Sequence, residues 1–555
     1  MLVRKRTAAF VGLAVASGVL LGLVLSNRVL AQSDTTNSNL FQQLRQFNKV
    51  LELIQQNYVE EVDPEPLIEG AITGMLEKLD PHSTYVDSER FARMNERNQG
   101  EYHGIGISFE IRDNFITVIS PIEGSPSDRL GIRAGDRIIK IDGATAEGIS
   151  TEEVFDKLRG PKGSKVHVTI SRPGIDELFE YDIERDKIPI VSVPYHFMLD
   201  DQTGYVRAIR FSATTSEELE AAINDLRTQG MKRMIFDLRG NSGGYLNQAI
   251  EVSDKFLAGG KTVVYTKGRI EGSSTYYYST DNDKLPNFPL IVLVDHGSAS
   301  ASEIVSGAIQ DHDRGLILGM TTFGKGLVQR QYTLKDGSAL LLTVARYYTP
   351  SGRLIQRDYT DRSKYSSEEA IEEVEHEVEA ELGPEGKGEK KLPAFKTDGG
   401  RTVFGGGGIT PDVKVPYSRK FTELQTKLER EQMFLDFAYK LANQKNMKKT
   451  DDFEPFFKNW TVDEAVVNQF KSYVDEKNGA KKDDAKIVYT AEEWKTEVPY
   501  IKQALKREVA RNVWGESMRY RVVIADDEMI PEAMKHFEQA ALMAKSLEGP
   551  LPAQR

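Results

Sequence analysis

Three residues in two short segments have the types and spacing of a proteolytic site that works without histidine. Ser300 lies in HGSASASEIVSGAIQD, Lys325 in MTTFGKGLVQRQY, and Gln329 follows the lysine by four residues. A serine hydroxyl becomes a nucleophile when a base takes its proton, and a lysine serves as that base once apolar surroundings make its neutral form accessible. Phe323, Leu327 and Val328 are the neighbours expected to desolvate Lys325, and Gly324 and Gly326 let the backbone approach the serine closely. Gln329 has an amide oxygen to orient the lysine head. A fully extended strand would hold the Cα atoms of 325 and 329 roughly 13 Å apart, so the pair requires a bend near Gly326. Ser300 also opens the sequence S-x-x-E, the spacing of a capping box. The cap and the nucleophile are compatible, because a helix N-terminus supplies N–H groups and positive potential to a developing oxyanion. Asp311, about three helical turns further on, reads as a structural brace. FDLRGNSGGYLNQ offers further donors: Gly243 and Gly244 follow a strand and, with the Ala301 N–H, are expected to form an oxyanion hole.

These segments need a frame, and the pattern around them supplies one. From 190 to 417 strand and helix alternate, with strands expected at TGYVRAIRF, MKRMIFDLR, LIVLVD, GLILG and ALLLTVARYY and helices at TSEELEAAINDLRTQ, YLNQAIEVSDKFLA and ASEIVSGAIQDH. That alternation predicts a parallel α/β core whose chemistry gathers at the carboxyl ends of the strands. Residues 101–189 read instead as short alternating strands with turns, and residues 33–100 as helical. A charge-dense insertion at 361–393 reads as a solvated helix and loop, with a flexible charged linker near 477–486, and 418–555 is predominantly helical.

The segment 101–189 resembles a PDZ domain of the bacterial permuted kind. Gly104-Ile105-Gly106-Ile107 matches its carboxylate-binding loop and LGIRAGDRIIKIDG its most recognisable stretch. In such a loop successive N–H groups converge on a terminal carboxylate while the adjoining strand edge pairs with an extended peptide. DLRGNSGG, GSASASEIVSGAIQD, TFGKGLVQ, YYTPSGRLIQ and GGITPD, following that segment, look like the C-terminal processing, or tail-specific, proteases over about residues 40–416. The resemblance implies a multidomain α/β protein with a crotonase-like (ClpP-like) protease core, an inserted PDZ domain and helical N-terminal and C-terminal regions. It implies Ser300 as nucleophile, Lys325 as general base, Gln329 as its support, no cofactor or metal, and cleavage near apolar C-termini delivered by the PDZ domain. Arg159, in KLRGPKGS, is the expected coupling residue between that domain and the site. The family often has proline where this chain has Ser242, and the 361–393 insertion and the helical tail exceed its minimal plan; the tail is a place for a second copy or an adaptor to bind.

Composition narrows the alternatives. The 555 residues carry a formal charge of −12, with no basic footprint for nucleic acid, and the chain has no cysteine, which excludes a thiol nucleophile and a thiolate zinc site. Arg4, Lys5 and Arg6 precede an apolar run of about 19 residues, close to the ~20 that span a bilayer, and Val29 and Ala31 suit a cleavage site. Residues 1–32 are therefore a signal peptide or a membrane anchor, with the anchor favoured, and everything beyond lies outside the cytoplasm. Gly319 to Lys325 satisfies G-x-x-x-x-G-K, but Gly326 stands where a P-loop has Ser or Thr. A Ser-His-Asp hydrolase using His296 or His312 lacks the G-x-S-x-G elbow. A membrane-tethered PDZ scaffold without activity is the remaining rival, although all three catalytic candidates are present. His82, beside a proline, and His376, in the charged insertion, read as structural and exposed.

Overall fold

The computed structural model describes residues 39–546 apart from 174, 283, 363, 366, 368–373, 375–377, 379–391, 417–420 and 480–485. The apolar run near the N-terminus, most of the 361–393 insertion with His376, and most of the 477–486 linker lie outside the described residues. Among the described residues no helix is long and apolar enough to cross a membrane.

The chain divides into two units, residues 1–85 and 86–555. In the first, residues 39–57 are helical, and a second helix, Pro64–Leu76, is capped by the Asp63 carboxylate. Pro64 takes the first helical position, where the N–H it lacks would have no intrahelical partner.

The second unit contains the α/β core. Its elements in chain order are β1 (Tyr195–Met198), β2 (Thr203–Arg207), α1 (Thr215–Thr228), β3 (Arg233–Asp237), α2 (Leu246–Phe256), β4 (Thr262–Gly268), β5 (Thr275–Tyr278), β6 (Leu290–Val294), α3 (Ala301–Asp311), β7 (Leu316–Gly319), β8 (Leu327–Thr333), β9 (Ala339–Tyr348) and β10 (Val413–Lys414). One sheet has the order β1-β2-β3-β6-β7-β10, parallel except for the β1–β2 hairpin. Val206, Phe236, Val292 and Ile317 face α1, α2 and α3 and join their core. Tyr205, Ile235, Ile291, Leu293 and Leu318 point the other way, and three helices from the chain's end cover them: α4 (Glu516–Ala525), α5 (Met529–Lys535) and α6 (Phe537–Ser546), through Tyr520, Ile524, Met529, Ile530 and Phe537. Strands buried on both faces read as unbroken apolar runs, as LIVLV does.

One feature departs from the sequence expectation. Strands β4, β5 and β8 were not expected; they form with β9 an antiparallel sheet whose Tyr265, Tyr276 and Tyr348 rings stack. The region 418–555 is helical as expected, and the fold adds where those helices pack. Its last three helices complete the main sheet, while Leu428, Phe434, Phe470, Ile501, Leu505 and Val509 form a second core of their own.

The PDZ-like segment is a sheet of Ile107–Arg112, Phe115–Pro121, Arg137–Ile141, Lys165–Ser171 and Phe179–Glu184, with Ile107–Arg112 at its edge. Its helix, Thr151–Leu158, starts on a capping box in which Ser150 and Glu153 exchange hydrogen bonds. Ile116, Val118, Ile138, Val154, Val168 and Ile170 are fully buried beneath it.

Candidate active site

Ser300 sits where β6 turns into α3, at φ +56° and ψ −110°. Residues other than glycine rarely adopt such a backbone, and a serine held there is presented on a sharp strand-to-helix elbow. The capping spacing is used: Glu303 Oε2 accepts from the Ser300 N–H at 2.7 Å, and the Glu303 N–H donates to the Ser300 carbonyl at 2.9 Å.

Glu303 is the residue that sequence reading missed. It is wholly buried, and its carboxylate accepts four hydrogen bonds: from the N–H groups of Ser300, Gly324 (2.7 Å) and Lys325 (2.9 Å) and from the Thr322 hydroxyl (2.6 Å). Burial pushes its carboxyl above the ordinary range, and those donors pull it back. Ser300 and Lys325 share the same oxygen, Oε2, so their main-chain nitrogens are no further apart than two hydrogen bonds laid end to end. Tyr347, from the end of β9, makes the complementary tie. Its buried hydroxyl lies within hydrogen-bond reach of the carbonyls of both Ser300 (3.2 Å) and Lys325, which share its one proton. Two segments distant in sequence are thus bolted through their N–H groups by one side chain and through their carbonyls by another.

The lysine loop is fixed along its length. Successive N–H groups from 322 to 326 go to the Ile409 carbonyl, the Ser298 carbonyl, Glu303 twice, and Gln356 Oε1 at 2.8 Å. Lys325 Nζ donates to Gln329 Oε1 at 3.0 Å. The reach that an extended strand would forbid is closed because Lys325 precedes β8, and β8 then slips register against β9 between Val328 and Gln329, opposite the extra residue Val344. A bulge of this kind bends and twists the strand pair.

Gly243 packs on the elbow. At φ +100°, a Cβ there would fall 2.8 Å from the Ala299 carbonyl oxygen and 2.9 Å from the Ala301 nitrogen, so only glycine fits. Its N–H donates to Asn241 Oδ1 at 2.9 Å. The N–H groups of Gly244 and Ala301 have no hydrogen-bond partner among the described residues. Asn241, fully buried, holds this loop to the elbow: its amide donates to the Ala208 carbonyl, and its own carbonyl accepts from Ala299 N–H (3.0 Å) and the Ser302 hydroxyl (2.7 Å).

The remaining candidates have other partners. Asp311, at the far end of α3, accepts from Arg353 and from the Ser351 N–H at 2.9 Å, and both ion-pair partners are buried. His312 bonds Asp398 and the Thr262 carbonyl, and His296 bonds the Thr321 carbonyl at 2.8 Å.

Comparison with known proteins follows the same lines. Residues 202–362 match the model of peptidase family S41, 117–172 a PDZ domain, 9–90 the N-terminal domain of the activating protease CtpB, and 424–515 a family of unknown function. The chain is 43% identical to a carboxy-terminal-processing protease of Bartonella bacilliformis over 59% of its own length and 76% of the relative's. It is 37% identical to CtpA of Bacillus subtilis (62% and 72%) and 34% identical to CtpB of the same organism (59% and 68%). The chain belongs to the carboxy-terminal processing proteases. It is a serine-type peptidase with a PDZ domain.

In this carboxy-terminal processing protease the PDZ edge strand and the Thr151–Leu158 helix border a groove of about 630 Å³ lined by Ile107, Phe109, Phe155, Arg159 and Gln432. Gly104 pairs through its backbone with Arg159, while Gly106, at φ +78°, packs against Ser125 and Ile105 is buried. The Arg159 guanidinium lies over the rings of Tyr102 and Phe155, 4.6 and 4.5 Å from their centroids, and pairs with Glu96 of the helix Ser88–Gln99.

Proposed function

We propose that this peptidase is an extracytoplasmic endopeptidase that cleaves proteins near apolar C-termini with a Ser300–Lys325 dyad. Lys325 takes the Ser300 hydroxyl proton, and the oxygen attacks the scissile carbonyl. The N–H groups of Gly244 and Ala301 receive the oxyanion. Lys325 then returns the proton to the leaving amine, and water hydrolyses the acyl-enzyme. The observation that carries this reading is the double tie of Ser300 to Lys325 through Glu303 and Tyr347, on an elbow that holds Ser300 at φ +56°. Gln329 keeps the lysine head in place. Both ring nitrogens of His312 are engaged, by Asp398 and the Thr262 carbonyl, which favours the dyad over a mechanism using that histidine.

Strands stacked in chain order with the crossover helices on one face support a crotonase-like core. The PDZ groove receives the tail: the free edge of Ile107–Arg112 adds it as a strand and Ile107, Phe109 and Phe155 contact its apolar side chains. Arg159 couples that groove to the site, since its partner Glu96 lies on the helix that borders the Gly243–Gly244 loop. The charged flank and apolar run at the N-terminus support the extracytoplasmic part of this reading.

Purified protein incubated with an unfolded substrate ending in apolar residues should degrade it about tenfold faster, or more, than the same substrate with a charged tail, a difference of about 1.4 kcal/mol in recognition. Equal rates for the two tails, followed by gel electrophoresis, count against PDZ-directed tail selection.

A further inference from the structure

A cavity of about 470 Å³ opens beside the loop Ser242–Gly244 and is walled by four arginines, Arg90, Arg93 and Arg97 of the helix Ser88–Gln99 and Arg210 of the core. Among the described residues no carboxylate lines it. Arg90 pairs with Asp87 at 3.3 Å and Arg93 with Glu89, on their own helix. Arg97 and Arg210 have no ion pair among the described residues, and the buried Nε of Arg210 has no hydrogen-bond partner there. Burial, and next the Arg97 charge, push Arg210 down from the ordinary arginine range. Arg210 and Arg97 carry like charges at one cavity without a counter-charge there, and an anion between them offsets their repulsion. Arginine forks fit carboxylates in particular, taking both oxygens at once. The walls also include Met94, Ile209 and Phe211, enough apolar surface to strengthen the field inside and to take the stem of a side chain.

The position of the cavity says whose carboxylate it is. Gly243, on its rim, packs within contact distance of Ser300 and Ala301, and Gly244 on the same rim carries one of the two N–H groups assigned to the oxyanion. A peptide with its scissile carbonyl at those N–H groups therefore has a neighbouring residue at the mouth of the cavity. We propose that Arg97 and Arg210 form a carboxylate subsite of the protease, taking an anionic group of the substrate chain close to the scissile bond. This inference rests on the reading of Ser300, Gly244 and Ala301 as the reacting centre. The carboxylate has two sources, the α-carboxylate of the chain end or an Asp or Glu side chain.

The test uses the full chain and matched peptides: one pair differs only in a free or amidated C-terminus, the other only in Glu or Gln beside the cleavage position. Ratios of kcat/KM within each pair are compared between the unmodified enzyme, Arg97→Gln and the double variant Arg97→Gln, Arg210→Gln, and binding of the same peptides is measured on the Ser300→Ala protein. The expected result is a preference of about tenfold or more for one carboxylate-bearing peptide, carried mainly by KM, weakened by added salt, reduced in Arg97→Gln and lost in the double variant. Loss in the first pair identifies the chain end as the source, and loss in the second pair an acidic side chain. Arg97 is exposed, so the single variant tests the idea even where replacing Arg210 unfolds the protein. Unaltered ratios in Arg97→Gln and in any folded double variant would overturn the proposal. Because binding to Ser300→Ala requires no chemistry, a failure of the catalytic assignment appears separately, as residual cleavage by that protein.

Discussion

Replacing Ser300 by alanine lowers cleavage by about four orders of magnitude or more, the scale on which removal of a protease nucleophile acts, and leaves the protein folded. Both halves of this expectation come from the elbow. The Glu303 carboxylate meets the Ser300 backbone N–H, which alanine retains, and the Ser300 carbonyl still accepts from the Glu303 N–H. Loss of the side chain therefore removes the attacking atom without loosening the turn. Single-turnover cleavage of an unfolded protein with an apolar tail measures the first half and thermal melting the second. Binding of a fluorescent tail peptide should be unaltered, since the PDZ groove is lined by other residues. Measurable turnover by Ser300→Ala would move the nucleophile elsewhere.

Asp311→Ala acts through stability. The Asp311–Arg353 pair is almost wholly buried, and Arg353 Nη2 also donates to Gln310 Oε1 at 3.0 Å while Nη1 reaches the Phe404 carbonyl. Removing one partner strands a charge in the interior, which costs about 3–5 kcal/mol. The same substitution frees the Ser351 N–H, at the turn that leads from β9 to Gln356 and hence to the lysine loop. Denaturant unfolding should shift by that amount, with activity lost at temperatures where the original enzyme still works. The double change Asp311→Leu, Arg353→Met should recover much of the loss, because an apolar pair leaves no charge unpaired. An unfolding midpoint unaffected by Asp311→Ala would mean that the pair does not brace the core.

Much of this architecture is legible in the sequence because it is written in local pattern. The unbroken apolar run around Ile291 and Val292, the helix beginning at Ala301 and the turn signal at Gly243-Gly244 all announce themselves within a dozen residues. What is not legible depends on distant partners. The spacing S-x-x-E predicts a cap, and the Glu303 carboxylate does meet the Ser300 N–H. The other three donors to Glu303 come from Thr322, Gly324 and Lys325, and no local rule names them. Asn241 is similar, an ordinary loop residue in sequence whose amide and carbonyl together hold the elbow. The N–H of Gly243 illustrates the same limit, since its neighbour Asn241 occupies it. The closure of Lys325 onto Gln329 needs a register slip set by the partner strand. The amphipathic helices of the C-terminal region show that they must be buried, and only the fold shows that the main sheet buries the last of them.

The most direct test of the account is the cleavage rate of the Lys325→Ala protein, measured beside variants in which His296 and His312 are each replaced by alanine. The dyad predicts that Lys325→Ala loses cleavage nearly as completely as Ser300→Ala while still binding tail peptide, and that each folded histidine variant cleaves. Retention of most activity by Lys325→Ala, or its abolition by a histidine change that leaves the fold intact, would contradict the assignment of lysine as the base.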